Sequence, residues 1–170
     1  MCANLSSPTV TATQFDAVID SPIPVDRNRL GIRLYNNQLC ELVFLEASHQ
    51  LLSPLNVYGS DIVRQLEQYF ADPTHSFSIK LAPEGTDFQK RVWQALTACP
   101  SGTVITYGEV AATLNSAPRA VGGACRHNPI PIIVPCHRVV AKQGLGGYAG
   151  QTDGMNMVLK KWLLSHESAI

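Results

Sequence analysis

Alternating apolar and polar residues predict β-strands in the first half of the chain. The alternation is weak over Thr11 to Ile19 and clearer from Leu30 to Tyr35. The pair Asn36-Asn37 follows, and then comes the mostly apolar run Cys40 to Leu45. Because asparagine suits the tight turns that join antiparallel strands, these segments predict a β-hairpin closed by the asparagine pair.

A helix is predicted after the hairpin. Ile62, Leu66 and Phe70 are spaced four residues apart, as on one face of an amphipathic helix, and Asp72-Pro73 is a stop signal. Together these elements predict a small supporting lobe of mixed α and β structure over residues 1–82. No arrangement of catalytic side chains is visible within it.

The remaining residues, 83–170, have a helical pattern with two capping boxes. In each box a threonine pairs with the glutamine or glutamate three residues later: Thr86 with Gln89, and Thr106 with Glu109. The first box opens a helix whose inner face holds four apolar residues: Phe88, Val92, Ala95 and Leu96. The second box opens a shorter helix.

A third helix is predicted close behind, with Ser116 as its N-cap and Pro118 in its first turn, and it ends before Asn128-Pro129. Two short helices joined by a tight turn resemble a helix-turn-helix, although an ordinary helical hairpin is the commoner structure. The third helix contains Gly122 and Gly123, each of which costs roughly 1 kcal/mol relative to alanine. Two explanations remain open: close packing on the core, or close approach of the backbone to a ligand surface such as a DNA groove.

Three segments complete the second half. Prolines at both ends of the apolar run Ile130 to Pro135 predict a buried extended segment rather than a central strand. A glycine-rich loop then surrounds Tyr148. The closing helix is predicted over Met157 to His166, and four residues are expected on its inner face: Val158, Leu159, Trp162 and Leu163.

Composition and charge narrow the class of protein. The 170 residues are 45% hydrophobic and 15% charged, which excludes a disordered tail and a coiled coil. No apolar run reaches the roughly 20 residues of a membrane helix, and no export signal is visible, so the cytoplasm is the expected location. Residues 1–85 carry five basic and nine acidic side chains, whereas residues 86–170 carry eight basic and four acidic ones. The basic half could meet a polyanion such as nucleic acid, or the imbalance could be chance.

The cysteines and histidines do not form a metal-binding pattern. Five cysteines, at positions 2, 40, 99, 125 and 136, are an odd number and are expected to be free thiols in a reducing compartment. Neither a C-x-x-C nor an H-x-x-x-H spacing occurs, so no metal site is predicted.

Cys136 is the candidate nucleophile. An ordinary thiol has a pKa of about 8.5, so only a few per cent of it is ionised at pH 7. The adjacent His137, held by a carboxylate, could activate the thiol as a base, through a water because neighbouring side chains usually diverge. Lowering the thiol pKa by about two units would need roughly 2.7 kcal/mol. The alternative is that Cys136 is a small buried hydrophobic residue.

The motif Pro135-Cys-His-Arg-Val-Val140, preceded by Arg119-Ala-Val-Gly-Gly-Ala and by Asn128-Pro129, resembles the methylated-DNA–protein-cysteine methyltransferases, or alkylguanine-DNA alkyltransferases. The resemblance runs from about Gly85 to Glu167. It implies an α+β protein in which a ribonuclease-H-like N-terminal lobe precedes a mainly helical, winged helix-turn-helix-like domain. Two differences stand out: residue 149 is alanine where many relatives have serine, and the stretch from Gln151 is longer than usual.

The resemblance also implies the chemistry. A 6-O-methylguanine, with 4-O-methylthymine as a second candidate, would be flipped out of the duplex, and its alkyl group would move to Cys136. His137 would take the thiol proton through a water, Glu167 would orient the imidazole, and Asn128 would support the site by hydrogen bonding. The Tyr107 hydroxyl would donate to the purine ring. Because nothing in the sequence offers a way to cleave the resulting thioether, one turnover per molecule and no cofactor are expected.

Contacts with DNA follow from the same resemblance. Arg119 would fill the space of the flipped nucleotide. Ala120 and Gly123 would lie in the minor groove, where small residues allow close approach, and Arg126 would contact phosphate. Two residues would line the base pocket: Val139 and Tyr148. The expected partner is therefore double-stranded DNA with an alkylated base, bound by a monomer and without a membrane.

Two other functions remain open on the sequence. A non-catalytic winged-helix module that recognises lesions or regulates a promoter would explain the helix pair and the basic half, but not a cysteine beside His137. A thiol hydrolase using Cys136, His137 and Glu167 would explain the catalytic residues, but neither the glycine-rich helix nor the charge distribution.

Overall fold

The computed structural model describes residues 15–24 and 26–170, and the chain divides into two compact units, Met1–Glu84 and Gly85–Ile170. Across the described residues, five α-helices and two small sheets give a mixed α/β fold. The expected mixture of helices and strands is therefore confirmed at this coarse level. Among the described residues, no helix has both the length and the apolar character needed to cross a membrane.

A three-stranded antiparallel sheet in the order β1-β2-β3 organises the first unit: β1 is Ala17–Asp20, β2 is Arg29–Tyr35 and β3 is Gln38–Leu45. The predicted hairpin is confirmed, because Asn36 and Asn37 join β2 to β3 with positive φ angles of 48° and 62°. Of the strand predicted over residues 11–19, only its end from Ala17 belongs to β1, and residues 11–14 lie outside the described residues.

The helix of the first unit, α1, spans Val57–Ala71 and begins earlier than predicted. Asn56 caps it, because its side chain accepts a hydrogen bond from the Gly59 amide at 2.9 Å. Tyr69, rather than Phe70, completes the buried face. A strict four-residue spacing drifts away from one face of a helix that has 3.6 residues per turn.

Three helices begin the second unit: α2 (Asp87–Thr97), α3 (Tyr107–Thr113) and α4 (Pro118–Arg126). The capping boxes predicted at Thr86 and Thr106 are both confirmed. The prediction that Ser116 caps α4 is wrong. Ser116 still belongs to the preceding turn, where its amide donates to the Ala111 carbonyl at 2.8 Å, and Ala117 is the N-cap without a side-chain hydrogen bond.

A short parallel strand pair links the start of α3 to the segment around Cys136. β4 is Ile105–Thr106 and β5 is Val139–Val140, with Ile105 opposite Val139. Tyr107 follows β4 directly, and a single turn of 3₁₀ helix, Cys136–Arg138, precedes β5 directly. The strand pairing therefore places the start of α3 beside the segment that carries the candidate nucleophile.

The apolar segment before Cys136 turns instead of extending. The Val134 amide donates to the Ile130 carbonyl at 2.9 Å, and Ile132 adopts a positive φ of 73°. The Asn128 side chain closes this turn, since its Nδ2 donates to Val134 O at 2.8 Å and its Oδ1 accepts from Ile130 N at 3.0 Å. The segment is buried as expected, but the prediction of an extended backbone is wrong because these hydrogen bonds fold it back.

The closing helix, α5, spans Gly154–His166 and so takes in part of the longer stretch from Gln151. Val158, predicted to face inward, is 48% exposed, and Trp162 is half-buried. Leu159 and Leu163 are buried as predicted, together with Met157, Lys160 and Leu164. The prediction is wrong for Val158 because the rest of the buried face lies along positions 157, 160 and 164.

Candidate active site

Cys136 is the centre of the candidate site. It is 5% exposed, and its Sγ accepts a hydrogen bond from Asn128 Nδ2 at 3.1 Å. Asn128 lies just beyond the end of α4, so one amide side chain joins that helix, the turn before Cys136 and the sulfur itself. The position of the thiol is therefore tied to the helix that carries the glycine pair.

Burial raises the pKa of the Cys136 thiol, and hydrogen bonds with the Asn128 and Tyr148 side chains only partly oppose this effect. The expectation of a lowered thiol pKa is therefore wrong for the protein as it stands. The buried thiol therefore stays protonated at neutral pH. Reaction at this sulfur requires a neighbouring group that takes the proton.

His137, which follows Cys136 in the chain, forms a buried pair with Glu167. His137 Nε2 lies 2.8 Å from Glu167 Oε1, and both side chains are fully buried. Arg138 also binds the carboxylate, with Nε donating to Oε2 at 2.8 Å and Nη2 donating to Oε1 at 2.9 Å, and its Nη1 donates to Cys99 O. Burial alone would raise the Glu167 pKa, but the hydrogen bonds from His137 and Arg138 outweigh it and hold this pKa well below its usual range.

The pairing with Glu167 also assigns the tautomer of His137. An ionised carboxylate only accepts hydrogen bonds, so Nε2 carries the proton and Nδ1 presents a lone pair. Burial lowers the pKa of His137 although Glu167 opposes the change, so the imidazole is neutral at neutral pH. Nδ1 is buried and has no hydrogen-bond partner among the described residues. A neutral imidazole with an available lone pair is a competent proton acceptor.

A pocket of about 690 Å³ connects the thiol with charged surface residues. Its lining brings together five residues singled out in the sequence: Cys136, Tyr107, Tyr148, Arg119 and Arg126. Both arginines are exposed, whereas Cys136 and Tyr148 are buried. This volume is in the range of sites that enclose a small organic group. Val139 lies outside this lining, fully buried in β5.

Tyr107 places a hydroxyl group in the lining of the pocket. Burial raises its pKa to about 12, so the hydroxyl keeps its proton at neutral pH. Its Oη donates to the Gly147 carbonyl at 3.1 Å, across 40 residues of chain. The ring lies between α4 and the loop, because a Cβ on Gly122 would stand 3.9 Å from Tyr107 Cε1 and one on Gly146 would stand 3.2 Å from Cε2.

The exposed surface of α4 favours one of the two explanations for its glycines. Ala120 and Gly123 are exposed, and a Cβ built on Gly123 would meet nothing within 4 Å. A Cβ on Gly122 would make only ordinary contact. Close packing within the protein therefore does not require either glycine.

The sequence analysis does not predict two buried neighbours of the site. These are Arg138, which binds Glu167, and Lys160, which is fully buried. A signal for Lys160 existed, since Met157, Lys160, Leu164 and Glu167 share one face at helical spacing. No metal site is present in the described part of the chain, where no three histidine, cysteine or acidic side chains come together, and the four cysteines there are free thiols.

A buried thiol held by an amide, and followed in the chain by a neutral imidazole that a carboxylate orients, is the set of groups expected in a protein that uses a cysteine as its nucleophile. Comparison with known proteins identifies the family. Residues 87–169 match the family described as 6-O-methylguanine DNA methyltransferase, DNA binding domain.

Relatives extend the match to most of the chain. A methylated-DNA–protein-cysteine methyltransferase of Methanosarcina barkeri is 52% identical over 84% of this chain and 93% of its own length. Its counterpart in Methanosarcina acetivorans is 55% identical over 57% of this chain and 64% of its own length. Among solved structures, Mycobacterium tuberculosis OGT in complex with DNA has a TM-score of 0.74 at 40% identity, covering 89% of this chain and 91% of that one.

The chain therefore belongs to the methylated-DNA–protein-cysteine methyltransferases. The family suggested by the cysteine motif is confirmed, and so is the enzyme class. DNA repair and DNA binding follow at the level of the family and its solved complex.

Proposed function

We propose that this chain repairs duplex DNA by moving the methyl group of a flipped-out 6-O-methylguanine onto Cys136, once per molecule. The observation that carries the proposal is that the buried thiol, the Tyr107 hydroxyl and two exposed arginines line one pocket. A base inside a duplex cannot reach a buried sulfur, so the nucleotide must leave the stack and enter that pocket. The second candidate substrate, 4-O-methylthymine, would enter the same pocket.

The nucleophilic step begins with removal of the thiol proton. A water between Cys136 Sγ and His137 Nδ1 passes this proton to the imidazole, whose Nδ1 has no other partner among the described residues. Glu167 holds the ring and stabilises the imidazolium that forms. Asn128 donates to the sulfur and so favours the thiolate over the thiol.

The transfer step forms one bond and breaks one. The thiolate attacks the methyl carbon, the S–C bond forms, and the C–O bond to the purine breaks with its electron pair left on the base. Tyr107 offsets the developing negative charge by donating its hydroxyl proton to a ring nitrogen, and the proton held by His137 returns to the phenolate through water, so both side chains end neutral. The product is an S-methylcysteine thioether, which none of the groups near the sulfur can hydrolyse, so the protein reacts once and needs no cofactor.

We propose that α3 and α4 bind the duplex and form the helix-turn-helix of a winged helix-turn-helix-like domain. Ala120 and Gly123 would face the minor groove, Arg119 would occupy the space of the flipped nucleotide, and Arg126 would contact phosphate. The exposed, small-residue surface of α4 supports this orientation. Val139, buried in β5, would act behind the pocket.

The proposal also covers the fold of each unit, the oligomeric state and the location in the cell. The first unit, with its antiparallel sheet and α1, would be a supporting lobe of ribonuclease-H-like type over residues 1–82, and residues 83–170 would bind DNA and accept the alkyl group. Action as a monomer in the cytoplasm stays a prediction.

Mass spectrometry tests the proposed function. Incubation with duplex oligonucleotide containing 6-O-methylguanine should add about 14 Da to the peptide that contains Cys136, as covalent transfer requires. The Cys136→Ala variant should bind the same duplex and transfer nothing. Repair by this variant, or many turnovers on a small ester without DNA, would overturn the proposal, and the second result would identify a thiol hydrolase.

A second experiment tests the role of Arg119. The Arg119→Ala variant should lose base flipping, followed by the fluorescence of a reporter base, more than it loses affinity for an unmodified duplex. Lys142→Ala, at an exposed cation outside the pocket lining, is the matched control. Equal losses of flipping and of affinity in Arg119→Ala would contradict insertion into the stack.

A further inference from the structure

Lys160 is a buried cation that the proposed chemistry does not use. Its side chain is fully buried in α5, and its Nζ donates to three backbone carbonyls: Val139 and Leu145 at 2.7 Å, and Gly147 at 2.9 Å. An ammonium group has three hydrogen-bond donors, and each has a carbonyl partner here. Burial lowers the pKa of Lys160 to about 8, so the group remains largely protonated at neutral pH.

One of those carbonyls is shared with Tyr107. Gly147 O accepts from Lys160 Nζ at 2.9 Å and from Tyr107 Oη at 3.1 Å. A carbonyl oxygen has two lone pairs and can accept both bonds, but a phenol has a single proton to donate. Tyr107 therefore cannot donate to a base in the pocket while it donates to Gly147.

We propose that Lys160 is a positioning residue that releases the Tyr107 hydroxyl for the substrate. The proposal rests on the function proposed above. When the base enters, Tyr107 turns its hydroxyl from Gly147 O to the purine, and Lys160 continues to satisfy that carbonyl. Without Lys160, the same movement would leave the Gly147 carbonyl beside the bound base with no donor, which is unfavourable. Lys160 thus makes the exchange of Tyr107 partners nearly neutral in free energy.

A different result is expected if the role of Lys160 is purely structural. Lys160 also joins β5 to the loop that carries Gly147, and its loss would loosen both whether or not Tyr107 has a hydroxyl. The exchange depends on that hydroxyl. A double-mutant cycle between Lys160 and Tyr107 therefore separates the two roles.

The experiment measures the single-turnover rate of methyl transfer to Cys136 from a saturating methylated duplex. Four proteins are compared: the unsubstituted chain, Lys160→Met, Tyr107→Phe and the double variant. We expect Lys160→Met to lower the rate by about 5- to 150-fold when Tyr107 is present, as for one unsatisfied buried acceptor. In the Tyr107→Phe background the same substitution should lower the rate by a clearly smaller factor, because no hydroxyl has to be released and only the attraction between Lys160 and the Cys136 thiolate is lost. Lys161→Met, an exposed neighbour on α5, is the matched control and should leave the rate unchanged.

Failure of the proposed function and failure of the Lys160 role give different results. If the unsubstituted chain transfers no methyl group, the proposed function fails. If it transfers methyl but Lys160→Met slows the reaction equally in both backgrounds, only the role of Lys160 is overturned. Lys160→Gln replaces Lys160→Met if the methionine variant does not unfold cooperatively.

A structure of the Cys136→Ala protein with a methylated duplex gives an independent test that leaves Lys160 and Tyr107 in place. We expect Lys160 Nζ to remain within about 3.2 Å of Gly147 O while Tyr107 Oη moves beyond about 3.5 Å from it and approaches the base. A Tyr107 hydroxyl that still donates to Gly147 beside the bound base would overturn the exchange.

Discussion

The amide nitrogen of Asn128 lies 3.1 Å from the sulfur of Cys136. The same side chain closes the preceding turn through Val134 and Ile130, so it both places the sulfur and polarises it. Because burial raises the pKa of Cys136, this hydrogen bond is one of the few interactions that favour the thiolate. Reactivity at this sulfur therefore depends on groups that act when the proton leaves.

Replacement of Asn128 by alanine should raise the pKa of Cys136 further and slow methyl transfer. A hydrogen bond to a charged group contributes about 1.5–3 kcal/mol, which corresponds to a loss of roughly 10- to 150-fold in rate. The pH dependence of Cys136 alkylation and the single-turnover rate measure the two effects. Gln94→Ala, at an exposed position of α2, is the control, and an unchanged thiol pKa in Asn128→Ala would contradict the assignment.

Replacement of Glu167 by glutamine should destabilise the protein strongly. The carboxylate is fully buried and accepts hydrogen bonds from both His137 and Arg138, so its loss leaves a buried guanidinium without a counter-charge. Breaking such a pair costs about 3–5 kcal/mol in the free energy of unfolding, measured by urea denaturation. Glu109→Gln alters an exposed capping carboxylate and should cost far less. Similar losses in the two variants would count against a buried ion pair.

The stability of the protein should fall as the pH drops below about 6.5. Burial lowers the pKa of His137 from its ordinary value of 6.5, so in this range the unfolded chain binds a proton that the folded protein does not. The free energy of unfolding should therefore decrease toward acid, by up to about 1.4 kcal/mol per pH unit from this group. His137→Gln should lose this part of the slope. Identical pH profiles of the two proteins between pH 6.5 and 5 would show that His137 does not titrate as described.

Gly123→Ala should stabilise the free protein and weaken its binding to DNA. A Cβ at this position meets nothing within 4 Å, so the helix gains about 1 kcal/mol in the free energy of unfolding from the higher helix propensity of alanine. The same methyl group would lie between α4 and the groove. Thermal unfolding and duplex titration measure the two effects, and Gly122→Ala is the control on the side of the helix that faces Tyr107. Undiminished duplex affinity in Gly123→Ala would place the DNA elsewhere.

Ala149→Gly should also stabilise the protein. Ala149 has a φ of 49° in the turn between Tyr148 and Gln151, where a residue with a Cβ is disfavoured by about 1 kcal/mol. Glycine also makes the unfolded chain more flexible, which offsets part of this gain. We therefore expect a net increase of about 0.5 kcal/mol in the free energy of unfolding. Ala112→Gly, at an exposed helical position of α3, should instead lose up to about 1 kcal/mol. A destabilised Ala149→Gly variant would contradict this account of the turn.

Local structure was predictable where the determining groups are close together in the chain. The capping boxes at Thr86 and Thr106 need only residues three apart, and the Asn36-Asn37 turn needs only a backbone that asparagine tolerates. The motif around Cys136 likewise predicted the family, because it is a contiguous string of residues. Such features are readable before any tertiary contact is known.

Other features depended on contacts between residues far apart in the chain. Ile130 to Pro135 turns because the Asn128 side chain draws its ends together, which no periodicity signals. Lys160 is buried because carbonyls from two other segments meet its ammonium group.

The amino-acid sequence by itself determined the capped helices, the hairpin turn and the candidate nucleophile, since each depends on neighbouring residues. The protonation of Cys136, the tautomer of His137 and the shared carbonyl of Gly147 were decided only by the tertiary structure. Desolvation and hydrogen bonding are set by whatever surrounds a group in space, and for these residues the surroundings come from α4, α5 and the loop between β5 and α5.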